Sequence, residues 1–366
     1  MRRFLLMLAL PLLAVAALAL AANVQIWPQL PGVPNYSIGL PEAMYGQHPM
    51  DRESYGEGWF WLGAYNDGSY SFTNFMISNL GPGDNKGTMD VTVWEPSGKT
   101  YLQRAAFTSG PMKAAVGTMD VQVNNNRVWG KYPNFNLKLA EKDIAMDLQY
   151  QAILPSFTIN SGRVVYGKVD DYYSVYVTTP RAKVTGTIKT PGGSRQVTGY
   201  GYTDHGVVTM MPYEYSNRWF TLRSFHEKYT LDILEFTVPQ KFGGQTVPMI
   251  IFGENNQIVY GGTQYKLTPS NWQTEPKFGK KYPGDYDFVI DRPGKIKVEG
   301  HYAVKKVMHV IDILSQLNFV ERQIAGLFAK SYVLRFFVEV KANVTYPDGR
   351  QEAFTAPGVA EVLYIQ

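Results

Sequence analysis

Between Tyr332 and Thr345 the chain alternates with a period of two. Tyr332, Leu334, Phe336, Val338, Val340, Ala342 and Val344 fall on one side; Arg335, Glu339, Lys341, Asn343 and Thr345 fall on the other, with Val333 and Phe337 as exceptions. Successive side chains of a β-strand point to opposite faces, so the pattern specifies a long, half-buried strand. The same period recurs where Met89, Val91 and Val93 alternate with Asp90 and Thr92, and where Leu234, Phe236 and Val238 alternate with Glu235 and Thr237. Turn signals punctuate such runs at Asp67-Gly68, Pro96-Ser97-Gly98, Pro191-Gly192-Gly193, Asn255-Asn256 and Asp348-Gly349. Short strands joined in this way form antiparallel meanders, hence a sandwich or an up-and-down barrel. About a dozen strand-like runs precede residue 205 and about nine or ten follow it, too many for one small barrel and right for two.

Other segments depart from this period. Residues 1–22 read as a basic start, an uncharged apolar run from Phe4, and Ala19-Leu20-Ala21, the marks of a secretory signal cleaved near Ala21 or Ala22. The run is also just long enough to span a bilayer as an uncleaved anchor, and either reading predicts an exported body, periplasmic or secreted. Residues 23–56 are rich in Pro, Gly and Tyr and predict an extended lead-in lying on the fold. From Val307 to Ser331 the apolar residues Val310, Leu314, Leu317, Val320, Ile324 and Leu327 recur at helical spacing. That predicts one amphipathic helix inserted in the C-terminal barrel, as a cover or as a lid in transient membrane contact. The expected organisation is therefore all-β, with an N-terminal barrel over 57–206 and a C-terminal one over 207–366.

Charged residues make up 18% of the 366 positions and aromatic residues 14%, which excludes a disordered chain. The formal charge of +4 includes Arg2 and Arg3 of the leader, so the body carries no electrostatic footprint for nucleic acid. With no Cys there are no disulfides, thiolate metal sites or cysteine nucleophiles, and an exported chain of this kind must rely on closed sheets and aromatic cores. The five histidines show no zinc spacing, P-loop and dinucleotide fingerprints are missing, and no cofactor or metal is assigned.

The most informative stretch is Tyr200-Gly-Tyr202-Thr-Asp204-His205-Gly206, followed by Tyr213 and Arg218-Trp219-Phe220. Asp204 and His205 are candidate acid and base at a pocket mouth. Neighbours on an extended strand point to opposite faces, however, so the two side chains meet only if the chain bends. Aromatic residues crowd the first hairpin and this junction, which makes Trp59, Trp61, Tyr70, Tyr200, Tyr202, Tyr213 and Trp219, with Asp204 and His205, the candidate wall of a cavity for a bulky apolar ligand.

These residues carry a resemblance. Gly58-Trp59-Phe60-Trp61 with Asp67-Gly68 and Phe72-x-x-Phe75-Met76-Ile77-Ser78-Asn79 resembles the opening of the superfamily that joins AttH-like proteins, hydroxyneurosporene synthase (a carotenoid 1,2-hydratase) and the fungal survival-factor ceramide-transfer proteins. Gly201-Tyr202-x-Asp204-His205, Pro212, Arg218-Trp219-Phe220 and Leu234-x-Phe236-Thr237 resemble the survival-factor pattern. The resemblance implies two lipocalin-like antiparallel β-barrels related by duplication, and proteins that bind, move or modify long apolar molecules. The hydratase's Asp-His-Asn-Trp falls on Asp204, His205, Gly206 and Val207; losing its Asn and Trp puts carotenoid hydration in doubt. Two functions are thus expected as alternatives. One is an exported protein that binds or transports a lipid- or terpenoid-like molecule. The other is a hydratase, cyclase or isomerase with Asp204 or His205 as proton donor. A third reading has barrels filled by their own side chains.

Overall fold

The computed structural model describes residues 24–28, 36–79, 85–106, 112–312 and 331–365. The leader expected at 1–22 lies outside the described residues. Among the described residues no helix is long and apolar enough to cross a membrane.

The strands form two antiparallel sheets, one of 15 strands and one of 9. In the first, Gly56–Tyr65, Tyr70–Ser78, Lys86–Trp94 and Thr100–Ala106 pair as a meander, and Gly56–Tyr65 also pairs with Gly193–Val208, the sheet's last strand in the sequence. In the second, Arg218–Phe225, Tyr229–Thr237, Thr246–Glu254 and Gln257–Gly262 pair as a meander, and Arg218–Phe225 pairs with the last strand, Gln351–Ile365. First-to-last pairing curls each sheet into a lipocalin-like barrel. Each ladder stays open at the equivalent place, after the fourth meander strand, so the two barrels share one topology.

The sequence pattern accounts for the local structure. Gly68 (φ 81°) and Gly349 (φ 84°) occupy the left-handed region and donate back across their turns to the carbonyls of Tyr65 and Tyr346. That conformation is open to glycine at no steric cost. Met89, Val91 and Val93 fill the first barrel, and Leu334, Phe336, Val338, Val340 and Val344 fill the second. Val333 and Phe337, the exceptions to the alternation, share a face with Arg335, and Phe337 meets Tyr70 of the first sheet at 5.5 Å. The outer face of that strand is covered by the other barrel, which is why its first half is not polar.

The lead-in is partly structured. Val24–Ile26 pairs with Arg163–Tyr166, Tyr36–Ile38 pairs with Phe157–Ile159, and Glu42–Tyr45 forms a 3-10 turn that buries Tyr45. The helix expected over Val307–Ser331 falls mainly on 313–330, outside the described residues. Its flanks depart from the expectation: Val307–Asp312 completes the strand Ile296–Asp312, and Ser331 opens Ser331–Thr345. The paired partners explain this, since Val310 faces Leu334 and Ile311 faces Val333 in the ladder.

Candidate functional site

The expected site residues divide between two compartments. Gly193–Val208 runs along the side where the barrels meet, so alternate residues enter different surroundings. His205 points into the first barrel and is fully buried; Asp204 points across the interface. The chain does not bend to bring them together, and they form no acid–base pair.

Inside the first barrel, Trp59 stacks on the His205 ring (4.8 Å between centroids, planes 8° apart) and Trp61 meets Tyr150 edge-on at 5.0 Å. The partner of His205 is Glu57, whose Oε1 lies 2.6 Å from His205 Nε2. Their strands pair so that His205 opposes Trp59, which makes Glu57 its diagonal neighbour on the inner face. Two further groups converge on the carboxylate. His48 brings Nδ1 to 3.2 Å of Oε1 and its backbone N–H to 3.0 and 3.1 Å of the two oxygens; the Tyr55 hydroxyl donates to Oε2. Burial pushes the Glu57 carboxyl up, but hydrogen bonds from His205, His48 and Tyr55 outweigh it and hold the group down at about 2.

The other candidates sit between the barrels. Trp219 stacks on Phe236 at 4.6 Å and meets Tyr173 edge-on at 4.8 Å, while Tyr200 faces Phe225 at 6.5 Å. Tyr70 and Tyr213 pack against this same layer, and Tyr202 lies under the Arg223 guanidinium at 4.6 Å. Asp204 Oδ2 accepts from Arg223 Nη2 at 3.2 Å. Burial nevertheless raises the Asp204 carboxyl, with Arg223 opposing the rise only in part. Asp232, opposite Arg223 in the ladder, is buried with no hydrogen-bond partner for either oxygen among the described residues, and burial holds its carboxyl well above the carboxylate range. The six expected residues here lie in the seam between the barrels, Trp219, Tyr202 and Asp204 buried and Tyr70, Tyr200 and Tyr213 half-buried, around a charged centre.

Arg181 clasps the two barrels. It is 1% exposed, and its guanidinium enters the mouth formed by two hairpin turns of the second barrel. Nη1 donates to the carbonyls of His226 (2.9 Å) and Tyr229 (3.3 Å), and Nη2 donates to that of Asn255. Arg181, Arg223, Asp232, His48 and Glu57 escaped the sequence reading. Only Glu57 carried a visible signal: it shares the inward parity of Trp59 and Trp61, where an acid has no reason to be unless partnered.

A groove of about 740 Å³ opens beside the seam. Ile26, Tyr36, Ile38 and Ile159 line it from the first sheet, and Ile258 and Val259 from the second. Trp27 ties its two sides together by donating from Nε1 to the Pro248 carbonyl at 3.0 Å. Tyr36 (51% exposed), Ile38 (45%) and Val259 (41%) present large apolar surface to this opening. Polar groups share the lining: Asn160, whose Oδ1 is buried without a partner among the described residues, and Thr263, Gln264, Arg292 and Lys295. No residue expected to bind ligand lines it.

Two like barrels joined first strand to last, with an aromatic seam between them, define the tandem-lipocalin class of AttH-like proteins. The chain belongs to the Svf1 family, whose model matches residues 60–366. It is 24% identical over 225 residues to the ceramide-binding protein svf1 of Emericella nidulans and 23% identical over 199 residues to the ceramide-binding protein SVF1 of Candida albicans. The matches cover 58% of each chain in the first case and 52% in the second, so the chain spans little more than half the length of these relatives. Among solved structures it is similar to CghA bound to Sch210972 (TM-score 0.63, 10% identity, 90% of this chain and 99% of that one). It is also similar to an AttH protein of Nitrosomonas europaea (TM-score 0.62, 14% identity, 92% and 98%) and to kievitone hydratase of Nectria haematococca (0.54, 11%, 91% and 97%). At these identities the likeness is one of fold.

Proposed function

We propose that the protein binds an amphiphilic lipid of the ceramide class in the groove between Tyr36–Ile38 and Gln257–Gly262, and that it does so after export. The observation that carries the reading is the groove itself. Its volume suits a small-molecule site, and its walls mix apolar side chains such as Ile26, Ile38, Ile258 and Val259, which suit a chain, with polar ones such as Asn160, Thr263 and Gln264, which suit a head bearing amide and hydroxyl groups. Asn160 Oδ1 is an acceptor in need of a donor, which an amide N–H or a hydroxyl supplies. The ceramide-binding relatives support the choice of lipid. The hydratase alternative is weakened by the geometry, since Asp204 and His205 occupy separate compartments and each is engaged by another side chain.

The test uses the full chain and a fluorescent ceramide analogue, with lipids co-purified from native protein identified by mass spectrometry. Ile38→Asp and Val259→Asp alter exposed side chains that the fold does not need, and each is expected to weaken binding about tenfold or more with thermal stability unchanged. Undiminished binding by both variants would sink the groove assignment; absence of any binding or bound lipid would sink the function. Export is tested separately, by fractionating cells and measuring the intact mass of the product for loss of residues 1–22.

A further inference from the structure

His48, Glu57 and His205 come from three separate places: the loop after Glu42–Tyr45, the start of Gly56–Tyr65 and the end of Gly193–Val208. Their ligand atoms all lie within 4.8 Å of one another. The hydrogen-bond chemistry of the cluster is unusual. His205 Nδ1 lies 2.8 Å from the Met44 carbonyl, which can only accept, so that nitrogen carries the hydrogen. In a neutral ring Nε2 then presents a lone pair, and it faces a carboxylate oxygen at 2.6 Å. Two acceptors in contact require a positive species between them, either a second ring proton or a metal ion.

We propose that His48, Glu57 and His205 form a binding site for a divalent metal ion of the zinc type. Two imidazoles and one carboxylate form a donor set suited to such borderline ions, and three protein ligands leave a further coordination position. The outer contacts follow the pattern of ligating groups. Nδ1 of His205 is held by a backbone carbonyl, and the second oxygen of Glu57 by the Tyr55 hydroxyl. The ring of His205 is fixed by the Trp59 stack, and Trp59 is anchored through Nε1 to the Tyr45 carbonyl at 2.9 Å. His48 is positioned by its neighbour Gln47, which bridges to Val116 and donates to the Ala115 carbonyl at 2.8 Å. The His48 side chain is 24% exposed, whereas those of Glu57 and His205 are wholly buried, so His48 is the member of the cluster nearest to solvent. Metal–ligand distances of about 2.0–2.2 Å require Glu57 and His205 to separate by somewhat under an ångström from their direct contact, a shift within side-chain reach.

The experiment is calorimetric titration of the chelator-treated full chain with Zn²⁺, with Co²⁺ absorption as a second readout of coordination. One ion per chain, bound at micromolar or tighter, is expected. His48→Ala, at a partly exposed position, should weaken binding at least about thirtyfold, and Glu57→Gln should do the same. His301→Ala, which removes an imidazole placed near Asp285 and Asp287 on the surface, should change nothing. If either site variant fails to fold, the other decides. Absence of binding by the wild type would mean that a proton alone occupies the pair, and retention of affinity in the folded site variants would place the ion elsewhere. Either result overturns the assignment. Lipid-analogue binding by the same variants keeps this question separate from the groove.

Discussion

Replacing Arg181 by Met measures what holds the two barrels together. Methionine retains an apolar stem and deletes the guanidinium, so the carbonyls of His226, Tyr229 and Asn255 lose their common donor. Hydrogen bonds to a charged group contribute roughly 1.5–3 kcal/mol each, so the two better-formed contacts amount to about 3–6 kcal/mol. Part of this is offset, because burial disfavours the charged guanidinium, as its lowered pKa shows. The carbonyls, however, stay buried without a donor, and breaking one side of a buried polar contact costs more than replacing both. The net expectation is a loss of about 2–3 kcal/mol. A cooperative unit of this length loses about 0.7 kcal/mol per degree near its midpoint, so the melting temperature should fall by about 3–4 °C, and by about twice that if the barrels begin to unfold separately. Differential scanning calorimetry reads both quantities. Arg181→Lys should recover less than half of the loss, because one ammonium cannot reach carbonyls on two turns as a planar fork does. A melting curve for Arg181→Met within a degree of wild type would show that the remaining contacts, the aromatic seam and the Asp204–Arg223 pair among them, join the barrels without it.

The charged centre of the seam predicts a pH dependence. Asp232 has a raised pKa in the folded protein, facing Arg223, Arg181 and Asp204, so the native state binds a proton that the unfolded chain releases near the ordinary carboxylate value of about 3.9. Its contribution is complete below that value and is lost as pH rises toward the folded pKa; Asp232→Asn should flatten this part of the stability–pH curve and raise stability at pH 7, as followed by urea denaturation. Asp204→Asn removes the hydrogen-bonded partner of a buried guanidinium and should cost about 2–4 kcal/mol by the same assay, a loss that Asp204→Asn combined with Arg223→Met should partly restore. Trp219→Ala should cost about 3–5 kcal/mol through the lost stacks on Phe236 and Tyr173, and an unchanged denaturation midpoint would contradict the packing of the seam.

The amino-acid sequence by itself determined the strands and their turns, because both depend on neighbours close along the chain. Alternation decides which side of Met89–Val93 or Leu334–Val344 is apolar, and a glycine at Gly68 or Gly349 permits a left-handed turn whatever surrounds it. The same local rule gave warning that Asp204 and His205 face apart. Partners were decided only by the tertiary structure. Glu57 meets His205 across 148 residues, and Arg181 reaches a carbonyl 74 residues away; neither spacing leaves a periodic trace. The aromatic residues are ambiguous for a related reason: a Tyr or Trp that covers a neighbouring barrel has the same composition signal as one lining a cavity. The groove was illegible because its walls come from the lead-in and from a strand of the other sheet, and only the curling of each sheet, with first strand paired to last, brings those two edges together.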